Sequence, residues 1–131
     1  MLLPDGALTG EFVAGTAGTV SAATPFTDRC PPGQIVVQIS GFEGRAPINV
    51  QAIQQMSFAC ARVPEWVTSG TLGGAFGPYG TNPNPTSRFS DPCPMGFGLT
   101  SIASGTGSAP PPNQGTRILE KLQMTCTRIR R

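Results

Sequence analysis

One phrase is written twice in this chain. Phe26-Thr27-Asp28-Arg29-Cys30-Pro31-Pro32-Gly33 returns sixty-three residues later as Phe89-Ser90-Asp91-Pro92-Cys93-Pro94-Met95-Gly96. The flanks repeat as well. Glu11-Phe12-Val13 matches Glu65-Trp66-Val67, and the Gly-Thr pairs Gly15-Thr16 and Gly70-Thr71 follow in order. After each phrase comes an apolar run ending in Ile39 or Ile102, then a Gly-rich turn. Each copy closes on a strand that ends Cys60-Ala61-Arg62-Val63 or Cys126-Thr127-Arg128-Ile129. Self-similarity of this kind constrains a fold more than composition does, because each copy must build the same local structure. The expected organisation is an N-terminal extension (residues 1–10), a first β-repeat (11–63) and a second (64–131), forming one compact domain.

The repeat also organises the cysteines. Cys30 and Cys60 fall in one copy, Cys93 and Cys126 in the other, at nearly equal spacing. Four cysteines allow three connectivities, and the repetition favours the one that pairs them within each copy. Metal is disfavoured, since the chain has no histidine and no close cysteine pair. Each closed loop stabilises the fold by roughly 3–4 kcal/mol on the chain-entropy model. An oxidising compartment follows.

Local pattern reads as strands. Ile35, Val37 and Ile39 alternate to one face. Ala52, Met56, Phe58 and Cys60 share a face of the first closing strand; Ile118, Leu122, Met124 and Cys126 do so in the second. Glycine and proline number 17 and 14, and charged residues are only 12%, so short strands joined by turns are expected. The best helix candidate, residues 51–58, alternates at least as well as it spirals. Pro31 and Pro94 fix the backbone of the repeated phrase, Gly33 and Gly96 permit positive φ, and Asp28 and Asp91 suit a turn. The phrase therefore reads as a stapled turn at the foot of a strand. The class is all-β, with two tandem disulfide-stapled repeats in a β-prism-like or sandwich body.

The same residues carry a resemblance. The order of Gly-rich segment (Gly73-Gly74-Ala75-Phe76-Gly77), Phe-Ser/Thr-Asp-x-Cys-Pro-x-Gly phrase, apolar strand, Gly turn (Gly41-Phe42-Glu43-Gly44-Arg45) and strand ending in Cys resembles jacalin-like β-prism repeats. The cysteine-bracketed versions found in secreted and surface proteins are the closest in pattern. The resemblance implies a prism-like body and a carbohydrate-binding or cell-surface role. Lectin members hold sugar hydroxyls with an Asp after the last glycine turn; the corresponding loops, residues 44–49 and 115–120, lack it. Asn49 is the group there that could both donate to and accept from a sugar.

Catalytic chemistry has little to work with. Without histidine, Ser/His and Cys/His nucleophilic sites are excluded. Lys121 is the single lysine and reads as solvent-facing, and the Gly-rich stretch 71–80 lacks the Lys-Ser/Thr of a phosphate loop. No cofactor or metal is expected, and the chain reads as a non-enzyme. Arg128, Arg130 and Arg131 cluster at the C-terminus, but nine basic against seven acidic residues make no nucleic-acid face. No stretch has the apolar length of a membrane span. The segment MLLPDGALTG lacks the features of a secretory signal, so a secreted protein would have lost its signal or be part of a longer precursor.

Aromatic residues supply the remaining binding candidates. Tyr79 has no counterpart in the first copy and sits among glycines and prolines; Phe76 is close by. Trp66 aligns with Phe12 and reads as core, with an interface anchor as its functional reading. The triple proline of residues 110–112 reads as a rigid loop, or as a recognition or O-glycosylation segment. Two functions follow: a non-catalytic extracellular structural or adhesion module assembling with itself or other surface-layer proteins, or a soluble lectin. An enzyme accessory or inhibitor domain is a weaker third.

Overall fold

The computed structural model describes residues 29–44, 52–80, 86–108 and 117–130. The chain is all-β with one short helix, as the alternating pattern implies. Its elements are β1 (Gln34–Gly44), β2 (Ala52–Arg62), α1 (Val63–Ser69), β3 (Ala75–Gly80), β4 (Thr86–Pro92), β5 (Phe97–Ser108) and β6 (Arg117–Arg128).

Two antiparallel hairpins, β1–β2 and β5–β6, form the frame. Their ladders match step for step. Gln34 pairs with Arg62 as Phe97 pairs with Arg128; Ile39 pairs with Phe58 as Ile102 pairs with Met124. Both ladders shift register twice, at Val36/Gln38 and Phe42/Glu43 in one, and at Leu99/Ser101 and Gly105/Thr106 in the other. Irregularities at corresponding positions are built features, because each inserts an unpaired residue and bends its strand. The entry turns match too. Gln34 N–H donates to Pro31 O (3.1 Å), and Phe97 N–H to Pro94 O (2.9 Å). Gly33 and Gly96 take φ of 78° and 86°, the left-handed conformation that the third position of such a turn requires.

The frame is extended unequally. β4 pairs with β1 and β3 pairs with β2, giving the order β4-β1-β2-β6-β5 with β3 also on β2. β2 meets β6 at the single pair Ile53↔Leu119, so the two ladders diverge from that point. The core lies under the first hairpin. Ile35, Val37, Ile39, Ala52, Cys60 and Ala61 are buried, joined by Trp66, Cys93 and Ile129. No polar side chain is buried among the described residues.

Disulfides join Cys30 to Cys60 and Cys93 to Cys126, with Cα separations of 5.8 and 5.7 Å. Bonded in this way, the chain has the cysteine chemistry of an oxidising compartment.

Two local readings need correcting. Residues 63–69 form a helix, whereas the sequence offers residues 51–58 as the best helix candidate and those lie in β2 from Ala52 onward. Pro64 in the first turn, Glu65 beside it and Gly70 at φ 68° account for it. Proline fits an N-terminal turn, the carboxylate complements the helix dipole, and a left-handed glycine stops the helix. Asp91, expected in a turn, instead lies within β4, opposite Ile39. The phrase is thus an edge strand up to Pro92 and a turn only from Pro94 onward.

Candidate functional site

The repeated turns and the segment joining β2 to β3 meet at one pole. The α1 helix begins this segment by dropping Trp66 into the core, where Ile35, Val37, Ala61 and Ile129 cluster with it and Val63 and Val67 pack alongside. The indole N–H donates to Phe97 O at 2.6 Å, which ties the helix to the second hairpin. Trp66 is 5% exposed. Its area and its donor are both committed inside the protein.

Past the helix, residues 70–74 run between the two turns. A Cβ on Gly70 would lie 3.4 Å from Met95 Sδ, so the chain passes directly beside the Pro94-Met95-Gly96 turn. Four residues on, a Cβ at Gly74 would come within 2.8 Å of Pro31 Cγ. That near-contact keeps this position small. Gln34 Oε1 accepts from Gly74 N–H at 2.8 Å, and Cys60 exchanges backbone hydrogen bonds with Gly73 and Gly74 (2.7 and 2.8 Å). The segment is therefore fixed between the turns by backbone bonds on one side and small residues on the other.

Its exposed side chains are Thr71 and Leu72. Leu72 is 49% exposed and Met95 57%, and Pro31, Pro32, Pro64 and Pro94 are exposed around the same turns and helix start. Exposed large apolar side chains held on a rigid, proline-bounded surface are a feature of contact surfaces. Sequence reading missed both residues. Met95 occupies a turn position that tolerates almost any residue, and Leu72 sits in a Gly-rich stretch with no periodicity.

The other candidates are dispersed. Phe76 stacks on Phe58, with centroids 4.8 Å apart and planes 17° from parallel. Tyr79 is half-buried in β3, opposite Met56. Asn49, Asp28 and the triple proline lie outside the described residues. Lys121 is exposed on β6, as read from the sequence. Arg128 is exposed, its guanidinium 5.1 Å from the Phe97 ring centroid, in the range of a cation–π contact. Asp91, Pro92, Leu122, Gln123 and Met124 line an open hollow of about 340 Å³. Among the described residues, no three Cys, Asp or Glu side chains converge as a metal site would need. No helix among them is long and apolar enough to cross a membrane.

No protein-family model, no curated protein and no solved structure matches the chain.

Proposed function

We propose that this protein is a non-catalytic extracellular module that assembles with copies of itself or with other surface proteins. The exposure of Leu72, in the segment between the repeated turns, and of Met95, on the second turn, is the observation that carries this reading. Two disulfides suit it to an oxidising exterior, and the jacalin-like pattern of its repeats is in keeping with a surface role. The pole offers shape and apolar area, which another protein surface can cover.

Burying the exposed part of each side chain would contribute on the order of 1 kcal/mol. Losing both should therefore weaken association about tenfold or more. Sedimentation velocity over about a hundredfold range of protein concentration reads this directly. The expected result is assembly without added sugar that is lost in the Leu72→Asp/Met95→Asp variant. A chain that stays monomeric throughout and binds no surface protein would overturn the reading. Glycan binding lost on Tyr79→Ala or Asn49→Ala would put the lectin function in its place.

A further inference from the structure

Charge is spread unevenly over this fold. At the pole where the repeated turns meet, the described residues carry Arg29, Arg62, Arg128 and Arg130 against Glu65 alone, all exposed. Over the rest of the described chain, Arg88, Arg117 and Lys121 balance Glu43, Asp91 and Glu120. The described pole is therefore three charges positive and the described remainder neutral, a contrast that the chain's total of +2 conceals. Asp28 and Arg131, the sequence neighbours of Arg29 and Arg130, cancel each other.

The two copies place these arginines by the same device. Arg62 pairs with Gln34 at the end of the first ladder, and Arg128 pairs with Phe97 at the end of the second. Their sequence neighbours Ala61 and Ile129 belong to one buried cluster around Trp66, against which Val63 packs. Arg62 and Arg128 thus leave the same cluster toward solvent. Arg29 precedes Cys30, which is bonded to Cys60, and Arg130 follows Ile129. The Arg128 guanidinium lies 5.1 Å from the Phe97 ring centroid, a contact that orders the side chain before any partner arrives. Leu72, in the segment between the turns, and Met95, on the second turn, are exposed at this pole as well.

We propose that the partner of this pole is a protein surface that presents carboxylates beside apolar side chains. The inference rests on the docking role proposed above and names the chemistry of what docks. Guanidinium groups pair with carboxylates through a planar fork of N–H donors. Leu72 and Met95 call in addition for apolar area, which a purely ionic polymer lacks. Opposite charge across an interface steers and selects a partner, and like charge rejects one. Two copies meeting pole to pole would set like charges against each other, which makes that the least favourable form of self-assembly.

An immobilised copolymer of glutamate and leucine is the probe, with binding of the full-length chain read by surface plasmon resonance. The expected result is saturable binding that falls about tenfold or more as salt rises from about 0.05 to about 0.5 M, because screening shortens the reach of the charges. Arg62→Gln/Arg128→Gln should weaken it about tenfold. The neutral change Leu72→Ser/Met95→Ser should do about as much. Arg88→Gln/Lys121→Gln removes the same charge away from the pole and should stay within about twofold of the parent. All six side chains are exposed, so the variants leave the core intact. Absent or salt-insensitive binding overturns the proposal, as does equal weakening by the two charge-removing pairs. Weakening by the serine pair alone overturns the acidic partner and leaves the docking role standing. Weakening by the pole arginines alone assigns the pole to an anionic polymer such as a polysaccharide, and overturns the proposal together with the docking role on which it rests.

Discussion

The two hairpins share a backbone and differ in what they bury. In β1, Ile35, Val37 and Ile39 point into the core at 7, 0 and 0% exposure. The same three positions of β5 are Gly98, Thr100 and Ile102, and Ile102 is 43% exposed. Matching turns and matching irregularities give both hairpins one geometry, so local backbone chemistry fixes the ladder. Neighbours then decide burial. β1 is flanked by β2 and β4 and overlaid by Trp66 and Ile129, whereas β5 has β6 alone among the described strands. A duplicated unit can in this way keep one ladder geometry while the strands of the first copy are buried more deeply than β5, where Ile102 is half-exposed.

Stability measurements on paired variants probe that division. Removing either disulfide by a double Cys→Ala change should cost about 3–4 kcal/mol in denaturant unfolding, because both close loops of nearly equal length. A loss confined to one hairpin would mean that the two staples are not equivalent. Ile39→Ala should cost about 2–4 kcal/mol at a fully buried site, and Ile102→Ala less than about 1.5 kcal/mol at a half-exposed one. Equal costs would contradict the unequal roles of the hairpins. Of similar size to the Ile102 effect should be Gly33→Ala and Gly96→Ala, each about 1–2 kcal/mol. A Cβ at either glycine meets no atom within 4 Å, so the positive φ alone sets the cost and the two values should agree.

Much of this was legible before any coordinates. The Ile35-Val37-Ile39 alternation places those residues inward, as found. The within-copy cysteine pairing follows from the repeat, and the Pro-x-Gly turns follow from the φ that glycine permits. The α1 helix was hidden by the repeat itself. Its signals are Pro64 at the start and Gly70 at the stop of a seven-residue helix, neither of which the match of Trp66 with Phe12 contains. Pairing of β4 with β1 had no local signal, since Phe89-Ser90-Asp91 contacts residues about fifty positions earlier in the chain. The apolar pole was illegible for a similar reason. Gly70 comes beside Met95 only because the chain folds back past the second turn.

Peptide mapping under non-reducing conditions tests most directly the claim that one stapled hairpin is built twice. Proteolysis of the full chain followed by mass spectrometry should recover Cys30 linked to Cys60 and Cys93 linked to Cys126, with no other cysteine-linked peptides. Recovery of Cys30 with Cys93 or Cys126, or of Cys60 with either, would contradict it, because each hairpin would then lose the staple that makes it the copy of the other.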